Sequence, residues 1–301
     1  MNIVGPSIRP TIRLFVCAVV CLCTGLPLQA ATPETLNLGD GVYLFRYGEQ
    51  QSLFLVGTDR VIATDPLSKE AAKAYKSAVK AVTDKPITHV AYTSSFFDRV
   101  PGGRELAGER AEFVAQANCK ANLEATPHPA AVIPTQTYTD QISIDAGDAS
   151  LDLYYFGQSY GTCLSVMIFK PANVMLVHGL VTPPVAQVPD DPTIANYYLH
   201  NLVQFFVYVE ELAAVEGVQQ VVGSVAVKGE EVLAPVALIT EQRVFWDTLL
   251  SIVEAEYNKG TPARAIPKKA DMTPLKDYAG YDPRHVEIMT RRIYSLYRIG
   301  R

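Results

Sequence analysis

Histidine is scarce in this chain, and none of it is paired. The five histidines are His89, His128, His178, His200 and His285, and no two stand at the His-x-His or His-x-x-x-His spacing that sets two imidazoles on one metal ion. A zinc centre built on a local histidine motif is thereby excluded. A surplus of positive charge is also missing. The 26 lysines and arginines face 31 acids, a formal net charge of −5, which argues against nucleic acid and anionic membrane surfaces as partners. No apolar run reaches the roughly 20 residues that span a bilayer as a helix. Cysteine is sparse: of five, Cys17, Cys21 and Cys23 fall in the first 31 residues and only Cys119 and Cys163 lie beyond. Their separation in sequence fixes no distance in space, so a disulfide and two half-buried thiols both stay open.

What is present begins with a leader. Arg9 and Arg13 precede the apolar run from Leu14 to Cys23, and Leu28-Gln-Ala-Ala31 supplies small residues at its end. That order reads as a secretory signal peptide over residues 1–31, cut near Ala30 or Ala31, and implies a periplasmic or secreted protein with no membrane in the mature form. Loss of two arginines and no acids takes the net charge to about −7. The whole chain, at 49% hydrophobic and 19% charged, has ordinary globular composition and is long enough to bury a large core.

Antiparallel strands open the fold: residues 36–46 read as a turn and a strand punctuated by Gly39-Asp40-Gly41, and strands at 51–57 and 60–65 follow, separated by Gly-Thr-Asp in hairpin fashion. Ser68 is placed to cap a helix over residues 69–82, whose apolar positions Ala71, Ala74, Tyr75, Ala78, Val79 and Val82 share one face. Residues 86–92 read as a buried strand and 104–111 as a short helix. A further strand at 112–115 leads into a helix at 116–124. From 141 to 169 apolar residues recur every second position, at Ile142, Ile144, Leu151, Leu153 and Tyr155, with a turn at residues 146–148. A helix is expected over 194–212 with His200 as a packing residue. Another over 241–259 ends at Gly260, and a last one runs from Asp282-Pro283 to residue 297. Between these two, residues 262–274 read as a basic, proline-containing connection.

The organising stretch is residues 91–103, Ala-Tyr-Thr-Ser-Ser-Phe-Phe-Asp-Arg-Val-Pro-Gly-Gly, a polar loop between a strand and a helix, where α/β proteins place their chemistry. It resembles the His-x-His-x-Asp-His metal loop of the metallo-β-lactamase superfamily. Gly41-Val-Tyr43, Val61-Ile-Ala-Thr-Asp65 and Val82-Thr-Asp-Lys-Pro86 resemble that family's leading strands and the approach to its loop. The likeness covers residues 36–225 and implies an α/β (α+β) fold, the four-layer αββα sandwich. The helices after residue 240 resemble a C-terminal extension of a secreted bacterial subgroup. The expected organisation is a family-like domain over residues 32–239 and a helical extension, packed on it, over 240–301.

The same resemblance implies seven metal-ligand positions. They fall here on Ser94, Phe96, Asp98, Arg99, Tyr160, Gly179 and Ser224, and only Asp98 keeps a ligand's chemistry. Gln158 is an alternative for Tyr160 and no better a ligand. His178 adjoins Gly179, but strand alternation is expected to point it away from the site. Six lost ligands imply no catalytic zinc and no other cofactor. Phe96 and Phe97 are expected to take up the vacated space, and Arg99 to lie near Asp98 or Asp65 in place of metal charge. Asp65, Ser95, Phe97 and Gln158 are candidate lining residues of the remaining cleft.

Three functions follow as expectations. The first is a secreted, non-catalytic binding or accessory protein, with a small molecule or a protein as its partner. The second is a hydrolase of an ester, lactone or lactam with metal-independent chemistry on Ser94, Ser95, Asp98, Tyr160 or Cys163, against which stands the want of a histidine placed as base. The third is a structural role, pairing with itself or an active paralogue through Tyr197, Tyr198, Phe205, Phe206 and Tyr208, although burial is the commoner fate of such a stripe.

Overall fold

The computed structural model describes residue 1 and residues 31–188, 196–225, 229 and 231–300. The leader lies almost wholly outside the described residues, as do residues 189–192 of the proline-rich connection. Thr32–Arg301 forms one compact unit. Two sheets carry it. In the first, β1 (Pro33–Gly39), β2 (Val42–Tyr47), β3 (Gln50–Val56), β4 (Val61–Thr64), β5 (Ile87–Ala91), β6 (Glu112–Gln116) and β7 (Gln136–Tyr138) stand side by side in chain order. The first four are antiparallel and the last pairs parallel. The parallel pairs need crossovers, supplied by α1 (Lys69–Val82), α2 (Gly103–Ala107) and α3 (Ala117–Ala125). The second sheet runs β13 (Leu233–Pro235), β12 (Gln220–Gly223), β11 (Val174–Val177), β10 (Ser165–Lys170), β9 (Ser150–Tyr155) and β8 (Gln141–Asp145).

Strand alternation sorts the core into three layers of contact. In β4, Val61 and Ala63 pack outward with Ala71, Ala72, Tyr75 and Val79 of α1, while Ile62 between them faces the other sheet. In β10, Met167 and Phe169 meet Leu44, Leu53 and Leu55 between the sheets, and Val166 and Ile168 face outward. Against that outer face lie α4 (Leu199–Glu216), α5 (Ala237–Asn258) and α8 (Pro283–Ile299), through Leu202, Phe206, Trp246, Leu249, Met289 and Ile293. Period-two strands buried on both faces and helices with one apolar stripe leave little but this stacking, helix, sheet, sheet, helix.

Local signals set several boundaries. Ser68 accepts a hydrogen bond from the Ala71 amide at the start of α1, and Asp282 does the same for Arg284 at the start of α8. Other expectations need correction. The helix α5 starts at Ala237, so a boundary after residue 239 falls inside it, and its side chains share one core with α4 and the second sheet. The connection at residues 262–274 holds α6 (Ile266–Lys269) and begins α7 (Thr273–Lys276), each with a proline in its first turn, where a missing N–H does no harm. His200 is exposed near the start of α4. In the aromatic stripe Tyr197, Phe205 and Phe206 are buried, while Tyr208 is exposed. Among the described residues no helix is long and apolar enough to cross a membrane.

Candidate functional site

The loop after β5 reaches the place where the ends of both sheets meet, and Arg99 turns inward there. Its side chain has no exposed surface. Nη2 donates to an Asp65 carboxylate oxygen at 3.1 Å and to the Gln51 carbonyl at 2.6 Å; Nε reaches the same Asp65 oxygen at 3.3 Å, and Nη1 reaches the Ser224 carbonyl at 3.2 Å. Gln51 belongs to β3 of the first sheet and Ser224 follows β12 of the second, so one guanidinium ties the sheets together. Asp65, just past β4, is equally buried. It accepts from the Thr93 amide at 2.8 Å and the Thr93 hydroxyl at 2.6 Å. Its backbone sits at φ +23°, which side-chain-bearing residues seldom adopt, and the Ser52 hydroxyl holds its carbonyl at 2.6 Å. A buried charge pair survives only when its polar atoms are also bonded, and here each guanidinium nitrogen and each carboxylate oxygen has a partner.

His178 faces the same centre, which corrects the expectation that it points away. β11 ends at Val177, so His178 and Gly179 lie past the strand, where alternation no longer holds, and both lie against the Tyr160 ring. Nδ1 of His178 hydrogen-bonds the buried Ser224 hydroxyl. Its Nε2 is buried with no hydrogen-bond partner among the described residues. Burial first, and the Arg99 charge second, hold its pKa well below the ordinary histidine value, so the ring is neutral.

Aromatic rings close the other side. Phe96 meets Tyr160 edge to face at 5.0 Å, Tyr160 lies 4.7 Å from Tyr197, and both Phe96 and Tyr160 approach the His178 ring, at 5.8 and 5.6 Å. Gly179 makes this possible: a Cβ on it would stand 2.3 Å from the Tyr160 ring, and its φ is +70°. Phe96, Arg99, Tyr160, Gly179 and Ser224 are thus drawn together. Ser94 and Ser95 line a small cleft beside them. Other positions part from expectation. Asp98 is exposed, and Arg99 pairs with Asp65. Phe97 is exposed too and rests on His128 at 4.8 Å, so Phe96 alone of the two fills the centre. Gln158 is exposed outside the cleft, its carbonyl bonded to Asn201 at 2.8 Å. Beside the cleft Cys119 and Cys163 form a disulfide.

These donors do not suit a pair of zinc ions. A permanent guanidinium cation, a phenylalanine ring and a glycine stand at three of the seven expected positions, and none has a side-chain lone pair for a metal. Among the described residues no three histidine, cysteine, aspartate or glutamate side chains gather as a metal-holding group.

No family model and no curated protein matches the sequence. Solved structures do match. A metallo-β-lactamase from Pontibacter korlensis superposes with TM-score 0.60 at 12% identity, over 72% of this chain and 99% of that one. The DIM-1 metallo-β-lactamase gives 0.59 at 11% identity over 73% and 99%, and a metallo-β-lactamase from Hirschia baltica 0.57 at 14% over 70% and 96%. The architecture is that of an αββα sandwich with helices on both faces. The chain has the metallo-β-lactamase fold.

Proposed function

We propose that this chain is an exported metallo-β-lactamase-fold protein without a competent dizinc site, serving as a non-catalytic binding or accessory protein. The observation that carries this reading is the Arg99 side chain, wholly buried and bonded to Asp65, Gln51 and Ser224. A fixed cation bridging both sheets is a structural replacement for metal charge and repels any cation brought near it. Export, with cleavage near Ala30, is supported by the leader and agrees with the Cys119–Cys163 disulfide, since such bonds persist in oxidising compartments. In this reading a helical extension that begins with α5 at Ala237 follows the family-like domain.

A second reading, metal-independent hydrolysis, gains one observation: the Ser224 hydroxyl sits on the His178 imidazole. It ranks second because the hydroxyl is buried, the imidazole is a weakened base and, among the described residues, no carboxylate orients its other nitrogen. Metal analysis of purified protein, together with a turnover screen over lactams, lactones and esters, tests both. Tightly held zinc overturns the first reading; turnover lost in Ser224→Ala establishes the second.

A further inference from the structure

Between the loop after β5, α3 and the turn after β9 lies a cleft of about 180 Å³, bounded by Ser94, Ser95, Asn122 and Thr162 with the Phe96 and Tyr160 rings. Among the described residues no lysine, arginine, histidine, aspartate or glutamate lines it. Asn122 organises the polar side. Its Nδ2 donates to the Ser95 hydroxyl at 3.1 Å and to the Thr162 hydroxyl at 2.8 Å. A hydroxyl that accepts still has its own proton to donate, and the amide keeps its oxygen as acceptor. The cleft therefore offers two donors and an acceptor without charge, beside an aromatic wall.

We propose that this cleft binds one uncharged, polyhydroxylated ring of monosaccharide or cyclitol size. The proposal rests on the reading above, because the ligand lies beside the closed centre and uses Phe96 and Tyr160 as its wall. A cavity near 150 Å³ holds a single six-membered ring, which sets the size. A charged ligand would shed water against no opposite charge. An apolar one would strand the hydroxyls of Ser95 and Thr162. A ring polyol meets both sides, its hydroxyls toward Asn122, Ser95 and Thr162 and its C–H face toward the aromatic rings.

Saturation-transfer NMR on the purified full protein tests this, with methyl glucoside and myo-inositol as neutral probes and glucuronate and glucosamine as charged ones. The expected result is transfer to at least one neutral probe, weaker binding of both charged probes, and about tenfold loss of affinity in Thr162→Val and in Asn122→Ala. Thr162→Val preserves shape, so it reads the hydroxyl even if Asn122→Ala disturbs the loop. Transfer to neither neutral probe, equal binding of a charged one, or unchanged affinity in Thr162→Val overturns the proposal. Zinc measured on the same sample separates the two readings: failure of the polyols without zinc removes this inference alone, whereas bound zinc removes the one beneath it.

Discussion

Arg99 and Asp65 meet at 3.1 Å with neither side chain exposed, at the point where the two sheets are joined. Removing one partner leaves the other charged, buried and short of a counter-charge. Arg99→Met is expected to lower stability by about 3 to 5 kcal/mol, a large share of a domain's total. Arg99→Lys should recover only part, because one ammonium cannot span Asp65, Gln51 and Ser224 in a plane. Urea denaturation of wild type, Arg99→Met, Asp65→Leu and the double variant measures this. The double variant is expected to lose less than the sum of the singles.

The same centre sets an acid limit. His178 is held neutral in the fold, its pKa well below the ordinary value near 6.5. In the unfolded chain it takes up a proton as pH falls through about 6.5, while the folded chain does not. Its contribution to stability is thus complete above about pH 6.5 and shrinks as pH drops, by up to about 1.4 kcal/mol per pH unit until the folded pKa is reached. Stability curves from pH 7.5 to 5 should show this slope in wild type and a shallower one in His178→Gln. Equal slopes would show that His178 is not the group responsible.

Gly179 and Tyr160 make one structural unit. Gly179→Ala meets the Tyr160 ring at 2.3 Å on a backbone of φ +70°, so a loss of roughly 2 to 4 kcal/mol is expected from strain and overpacking together. Adding Tyr160→Leu should return part of the overpacking share. Thermal melts and the near-ultraviolet circular dichroism of the aromatic cluster are the readouts.

Cys119 and Cys163 are 44 residues apart and bonded. The oxidised protein should therefore show no free thiol from either cysteine, even in denaturant. Cys119→Ala/Cys163→Ala should cost about 4 kcal/mol by the loop-entropy relation. Thiol titration and denaturation of the two forms check both statements.

Much of this frame is legible in the sequence, and the reasons are local. Ser68 and Asp282 announce helix starts because their side chains satisfy amide groups that every helix leaves open. Alternation at residues 141–155 announces a meander because each strand buries a face. The short strand β7 carries only three residues, Gln136–Tyr138, too few for any periodicity, and is held by its partner β6. The centre was half legible. Substituted ligand positions mark where it lies, and the positive charge of Arg99 suggests a partner. The choice of Asp65 over Asp98 depends on strands β4 and β5 lying side by side, which adjacency in sequence obscures. The direction of His178 is not legible because the residue lies one position past the end of β11, where period-two alternation no longer holds.

The central claim is that Arg99, Phe96 and Tyr160 have replaced the metal. Elemental analysis of metal in the mature protein, purified without chelator and dialysed against micromolar zinc, tests it most directly. Well under one equivalent of zinc per chain is the expected result, with the same stability before and after chelation. About two equivalents, retained through dialysis and stabilising the protein, would contradict the account.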